Sequence, residues 1–202
     1  MHTPGEAASA GARQPSAARP PIGVDLDGVI SSPLLGWNIA ISRRTDLPSP
    51  PTSFAHDWPR GPARPLLWLA NAARFFARVP TPDAREGLQL LAQRRSVVLI
   101  TGRSHLARSL TERWLRRHGL EQYVAELRSN DTDLRTAHFK LRVLRERAIT
   151  EHVDDDGATA MFLARSGLGR VYLRDWPRNR GLPYPANVVR ILSLSDLAQH
   201  LE

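Results

Sequence analysis

Apolar residues along this chain fall into two alternating arrangements. Short strand-like runs occur at PIGV (21–24), SVVLITGRS (96–104), RVYLRD (170–175) and VVRILS (188–193), and briefer ones sit inside YVAELRS (123–129) and HVDDDG (152–157). The second is wholly apolar up to its stop at Thr101-Gly102, and a run without polar alternation suits a parallel strand covered on both faces. Between them lie stretches with helical spacing. Pro82 to Gln93 opens with proline and acidic residues, as helix starts prefer, and Leu88, Leu90 and Leu91 supply its apolar side. His105 to His118 is amphipathic and stops at Gly119, Ala137 to Thr150 follows, and Ala158 to Arg165 stops at Gly167. Ser195 stands as the cap of a last helix, DLAQHLE.

Strand and helix alternate from residue 83 to the end, which predicts an α/β fold: a Rossmann-like three-layer sandwich with a mainly parallel sheet. Right-handed crossovers bring the carboxyl ends of all its strands to one rim. In open sheets of this kind ligands bind at that rim.

The alternation is broken once. Residues 31–82 carry nine prolines, three of the five tryptophans (Trp37, Trp58, Trp68) and three of the five phenylalanines (Phe54, Phe75, Phe76). Within them LLWLANAARFFARV (66–79) has helical spacing, with Leu66, Leu69, Ala70, Ala73 and Phe76 on one face. The expected organisation is a core domain of residues 21–30 and 83–202, with 31–82 inserted as a small helical cap over the end of the first strand. Residues 1–20, rich in Ala, Gly, Pro and Ser, form a disordered leader without the apolar centre of a secretory signal.

Composition narrows the chemistry. The 202 residues contain no cysteine, which removes disulfides, thiolate metal sites and cysteine nucleophiles and fits a cytoplasmic enzyme. No apolar run approaches the ~20 residues of a membrane span, so no membrane partner is expected. The formal charge of +8 points to acidic partners, either small phosphorylated molecules or nucleic acid. The arginines are dispersed along the chain, which favours solvated helix faces over a nucleic-acid footprint. The oligomeric state is left open.

Polar residues at the predicted strand ends carry the functional signal. Asp25 and Asp27 close the first strand with Gly28 behind them, and Thr101, Gly102 and Arg103 close the second. Asp154, Asp155 and Asp156 close a later one, with Lys140 in the helix before it. A D-x-D-G taken alone also fits a solvated turn. Together the sets suit phosphate chemistry: an aspartate can be a nucleophile, carboxylates can hold Mg²⁺ against an anionic phosphate, a lysine adds a point charge, and a threonine hydroxyl with backbone N–H groups can hold phosphoryl oxygens. Lys140 is the only lysine among 28 cationic residues, which suggests a role that needs a compact ammonium. The histidines lack zinc-ligand spacing, Ser104 has no nucleophile elbow, and no Walker-type loop occurs.

DLDG (25–28), ITGR (100–103), Lys140 in HFKLRVL and DDD (154–156), in that order, resemble the haloacid dehalogenase-like superfamily of phosphohydrolases. YLRDWPRNRG (172–181) further resembles bacterial relatives of the 5'-nucleotidase, deoxy type C group. The resemblance implies Mg²⁺-dependent hydrolysis of a phosphomonoester through an aspartyl-phosphate. Asp25 would be the nucleophile, Asp27 the general acid and base, Thr101 a phosphoryl ligand and Lys140 a stabiliser of both nucleophile and phosphate. Gly102 and Arg103 would face the substrate. Asp25, the Asp27 carbonyl and one or both of Asp154 and Asp155 would hold the metal. The DDDGAT sequence departs from the serine and proline that commonly follow the acidic pair, which leaves the choice between Asp154 and Asp155 open. Trp176, Arg178 and Asn179 either line the pocket or order a loop, and the loop is the preferred reading. A small aromatic-rich cap suits a small phosphorylated substrate, with a nucleoside 5'-monophosphate the first choice because aromatic rings stack on bases. A nucleic-acid-binding protein, or a phosphatase of nucleic-acid ends, is the rival on the same scaffold.

Overall fold

The computed structural model describes residues 19–32 and 77–201. Strands β1 (Pro21–Val24), β2 (Ser96–Ser104), β3 (Glu126–Asn130), β4 (Glu151–Asp154), β5 (Arg170–Arg174) and β6 (Val188–Ile191) form one sheet in the order β3-β2-β1-β4-β5-β6. Every pairing in it is parallel, as the alternation of strand and helix predicts. Helices α1 (Ala84–Arg94), α2 (Arg108–Arg117), α3 (Thr136–Glu146), α4 (Gly157–Arg165) and α5 (Leu194–His200) complete the described residues' regular elements.

The period of two along β2 divides the core. Val97 and Leu99 pack with Leu88 and Leu91 of α1, Trp114 and Leu115 of α2 and Leu194 and Leu197 of α5. Val98 and Ile100 point the other way, against Phe139, Val143 and Leu144 of α3 and Leu163 of α4. Each such side chain contributes about 1.5–3 kcal/mol by leaving water. A strand so covered on both faces admits no register slip. The strand order reverses between β1 and β4, and a crevice opens beyond their carboxyl ends at such a reversal.

Several element bounds differ from the sequence expectation. Helix α1 begins at Ala84, because Pro82 and Asp83 form a turn and the Asp83 carboxylate is used elsewhere. The segment 121–123 is a 3₁₀ turn, so β3 begins only at Glu126. Helix α3 ends at Glu146, since Ala148 adopts a φ of 50° that no α-helix accommodates. Leu90 is only partly buried. Ser193, not Ser195, caps α5: its hydroxyl accepts from the Asp196 N–H at 2.9 Å. Strand β2 does not stop at Gly102 but runs on to Ser104 with an irregular register against β3.

The cap helix expected at 66–79 and its aromatics, apart from residues 77–79, lie outside the described residues, as does most of the leader. Both connections to the inserted segment are described. Ser32 donates to the Val79 carbonyl at 2.8 Å and Thr81 to that of Ile30 at 3.0 Å, so the outgoing and returning chains run side by side next to the loop after β1.

Candidate active site

The loop after β1 is a tight turn. Ile30 and Ser31 both donate to the Leu26 carbonyl, and Gly28 sits at a φ of 80°. A side chain cannot stand at Gly28: its Cβ would fall 1.9 Å from Asp155 Oδ2. The turn therefore lets the loop after β4 come directly against the loop after β1. The Asp25 N–H donates to the Val153 carbonyl at 2.9 Å, which extends the β1–β4 pairing and sets the two acidic loops in register.

Asp25, Asp154 and Asp155 meet there, each buried, with one oxygen from each lying within 4.8 Å of the others. Lys140, on the sheet-facing side of α3, closes the cluster from below. Its Nζ lies 2.8 Å from Asp154 Oδ2 and 3.1 Å from Asp25 Oδ2, and the residue is 2% exposed. Burial alone would favour a neutral amine, but Asp154 and Asp25 outweigh it and hold Lys140 protonated well above the ordinary lysine range. Burial also pushes the Asp25 carboxyl up, to about 7, against the pull of Lys140 and with the help of the Asp154 and Asp27 charges. Asp155 is raised too, chiefly by burial, although Arg178 opposes it. Asp154 moves the other way: burial would raise it, yet Lys140 and His152 hold it ionised.

The donor set fits Mg²⁺. It offers only carboxylate oxygens, converging and buried, and Mg²⁺ is a hard cation that takes oxygen ligands. Burial and mutual repulsion push the Asp25 and Asp155 carboxyls up, and a divalent ion held between them would offset that repulsion. Both Asp154 and Asp155 belong to the cluster, and they are held differently. Asp154 accepts from Lys140, from the Asp156 N–H at 3.0 Å and from His152 Nε2 at 3.0 Å. Asp155 is paired with Arg178 at 2.5 Å.

Asp27 faces the mouth and stands outside this trio. Arg103 grips it with two hydrogen bonds, Nε to Oδ2 at 2.8 Å and Nη2 to Oδ1 at 2.6 Å, and Arg78 also donates to Oδ1. Burial would raise the Asp27 carboxyl, but the Arg103 and Arg78 guanidiniums hold it below the usual range. Thr101 is buried at the end of β2, where its hydroxyl accepts from the Arg103 N–H at 3.2 Å. Gly102 lies against Thr136 at the start of α3. The sequence-predicted residues thus form two adjoining groups, an inner one around Lys140 and an outer one around Asp27. The Asp156 carboxylate takes no part in either and instead caps α4 through the Thr159 N–H, while its own N–H supports Asp154.

Five further residues support the site. His152 precedes Asp154 by two, so both point to the same face of β4, and its buried imidazole occupies space that Gly23 leaves open: a Cβ there would lie 2.5 Å from the ring. Burial depresses its pKa, so the imidazole is neutral and donates through Nε2 to Asp154. Asn179, fully buried, donates to the carbonyls of Asp155 and Arg174 and accepts from the Gly157 N–H. With Arg178 it fixes the Asp155 loop, so the WPRN segment orders a loop that carries site residues. The signal for both was their place after β5, beside β4 on the same rim. Trp176 donates to the Gly28 carbonyl at 3.2 Å and Arg174 to that of Val29 at 2.6 Å, which ties the first loop to the same segment.

No family model and no curated protein matches the chain. Solved structures do match in fold. A haloacid dehalogenase-like family hydrolase from Streptococcus pneumoniae superposes with a TM-score of 0.63 at 11% identity, covering 91% of this chain and 99% of its own. A HAD-superfamily hydrolase of subfamily IA from Geobacter sulfurreducens gives 0.56 at 16% identity, covering 91% and 97%. A "predicted phosphoglycolate phosphatase" from Haemophilus somnus gives 0.58 at 15% identity, covering 90% and 97%. Identities this low speak for the fold: the chain has the Rossmann-like α/β fold of haloacid dehalogenase-like hydrolases. No helix among the described residues is long and apolar enough to cross a membrane. Two of the arginines at and after α3 pair locally, Arg142 with Asp131 and Glu146 and Arg147 with Glu126.

Proposed function

We propose that this protein hydrolyses phosphomonoesters, with Asp25 as nucleophile and Asp27 as the proton-transfer group. The observation that carries the proposal is the buried Lys140 clamped between Asp25 and Asp154, with a second, partly exposed carboxylate, Asp27, two residues after Asp25 at the mouth. A buried lysine in a purely structural role needs one partner; this one holds two carboxylates on neighbouring strand ends in a fixed orientation.

In the first step an Asp25 carboxylate oxygen bonds to phosphorus as the ester P–O bond breaks. The departing oxygen takes a proton from the Asp27 carboxyl, and the free alcohol leaves. In the second step water attacks the aspartyl-phosphate, its proton passes to Asp27, and phosphate and the Asp25 carboxylate are released with Asp27 protonated again. Lys140 orients Asp25 and balances charge, and the Thr101 hydroxyl with the N–H groups of its loop holds phosphoryl oxygens. Asp25, Asp154 and Asp155 would hold Mg²⁺, which when bound neutralises the meeting of a carboxylate and a phosphate dianion. The Asp27 carbonyl remains a further candidate ligand.

Phosphate release from small esters tests this. Asp25→Asn should lower turnover by about 10⁴-fold or more while the protein stays folded by circular dichroism, and EDTA should stop wild-type turnover reversibly. Turnover near wild type in that variant removes Asp25 from the mechanism. For the substrate, the aromatic-rich 31–82 insertion supports a small metabolite such as a nucleoside 5'-monophosphate. A screen of nucleotides, sugar phosphates and phosphoglycolate decides: nucleotides all well below a sugar phosphate would sink the nucleotidase reading alone. The protein is expected to act in the cytoplasm on free small molecules.

A further inference from the structure

Lys140 shares Asp154 with a second side chain. Lys140 Nζ and His152 Nε2 both donate to the same oxygen, Oδ2, at 2.8 and 3.0 Å, while the Asp156 N–H donates to Oδ1 at 3.0 Å. Lys140, His152 and Asp154 are all shut off from solvent. The register between β1 and β4 sets Gly23 opposite His152, and the missing side chain makes room for the ring. A Cβ placed on Gly23 would lie 2.5 Å from the imidazole, 2.9 Å from Leu144 and 3.1 Å from Ile100, so the ring and two apolar side chains close this space together. A polar ring in such surroundings is costly unless its N–H is bonded, and Asp154 is the acceptor it reaches.

The two donors on Oδ2 do different things. An ammonium is a compact point charge with three rotatable N–H groups, so it attracts a carboxylate without fixing the direction from which it is met. An imidazole N–H held in a packed ring is directional. Asp154 held by Lys140 alone could pivot about Nζ; with His152 on the same oxygen it cannot. Lys140 in turn lies 3.1 Å from Asp25 Oδ2, so the chain of contacts from His152 ends on the nucleophile. His152 itself sits two residues back along β4 from Asp154, behind the reacting groups.

We propose that His152 is a positioning residue: its Nε2–H locks Asp154 against Lys140, and through that pair it sets the Mg²⁺ affinity of the acidic cluster and the turnover carried by Asp25. The turnover half rests on the phosphatase reading above; the Mg²⁺ half does not.

The test is a series at one position in the full chain, His152→Gln, His152→Asn and His152→Leu. Glutamine carries an N–H to about the reach of the ring's Nε2, asparagine carries the same amide only as far as Nδ1, and leucine has no donor. Calorimetric titration of the metal-free protein with Mg²⁺ should show the asparagine and leucine variants binding about 10- to 100-fold more weakly, the usual worth of a group that orients a metal ligand, and the glutamine variant close to wild type. With p-nitrophenyl phosphate at saturating Mg²⁺, the same two variants should lose kcat by a similar factor and keep KM, because the ring does not touch the substrate. A role in packing alone would rank leucine at or above glutamine in thermal midpoint and leave Mg²⁺ binding unmoved. If the leucine variant fails to fold, glutamine and asparagine, alike in polarity and different in reach, carry the comparison. Wild-type Mg²⁺ affinity and kcat in the asparagine variant, or a glutamine variant as weak as asparagine, overturns the positioning role while phosphatase activity stands. A wild type that binds Mg²⁺ but does not hydrolyse the ester overturns the phosphatase reading and the turnover half, and the Mg²⁺ titrations then decide the role of His152. A wild type that does not bind Mg²⁺ overturns the positioning role outright.

Discussion

The inner and outer charge clusters are built from the same two kinds of group, yet in one the carboxylates crowd a lysine and in the other the guanidiniums surround a carboxylate. Inside, three carboxylates (Asp25, Asp154, Asp155) face two cations, Lys140 and Arg178. Outside, one carboxylate, Asp27, faces two guanidiniums. Fully ionised, the first has a negative charge to spare. Buried charges are tolerated only when paired, so that excess marks the kind of ligand that would complete the inner cluster: a cation. Both clusters lie on one sheet rim, separated by a single turn of chain from Asp25 to Asp27.

The strongest way to break this comparison is to remove the inner lysine. Lys140→Met leaves Asp25 and Asp154 buried without their common partner, and losing one member of a buried pair costs about 3–5 kcal/mol. Urea unfolding of the metal-free protein at neutral pH should show a loss of that size. Mg²⁺ should recover part of it, since the ion neutralises the same carboxylates. A loss no larger than a surface substitution gives would mean that Lys140 does not hold the cluster together.

A smaller perturbation sharpens the inner imbalance. Arg178→Met removes one cation from Asp155, while Asn179 still holds the Asp155 carbonyl at 2.9 Å. If the guanidinium competes with the metal, calorimetry should show Mg²⁺ binding about fivefold tighter, an effective ~1 kcal/mol for a partly screened unit charge. Weaker binding would instead make Arg178 a group that positions Asp155, and the charge argument for the inner cluster would lose its second cation.

The sheet was legible because burial leaves a plain trace in a sequence: runs such as SVVLI are unbroken where a strand is covered on both faces, and glycines stop helices at 119 and 167. Lys140 was legible because it is singular in an arginine-rich chain. Asp27 and Arg103 were each legible as site residues, but their pairing and the part of Arg78 were not, since Arg78 and Arg103 lie 51 and 76 residues from Asp27 and only folding brings them to it. Local competition also hid some element ends. Ser193 and Ser195 offer the same hydroxyl, and only the first has the extended backbone that an N-cap requires. Asp83 reads as a helix-start acid favoured by the helix dipole, but its side chain makes no capping bond.

That carboxylate supplies the smallest effect and the control for the other two, because its pairing is balanced. Asp83 Oδ1 accepts from Arg174 and Oδ2 from the Leu194 N–H, each at 2.7 Å, which fastens the start of α1 to β5 and to the start of α5. Partial burial would raise its pKa, but the Arg174 and Leu194 hydrogen bonds outweigh it and lower it. A folded-state pKa below the unfolded value means the contribution is complete above the unfolded value and is lost as the pH falls through the folded one. Asp83→Asn should therefore cost about 1 kcal/mol at pH 7, the worth of a partly solvated charge-assisted pair. The gap between wild type and variant should stay constant down to about pH 5 and close below about pH 4. Urea midpoints at pH 7, 5 and 3 measure it. A gap that does not narrow at all between pH 5 and pH 3 would show that the amide disturbs packing instead of removing a charge.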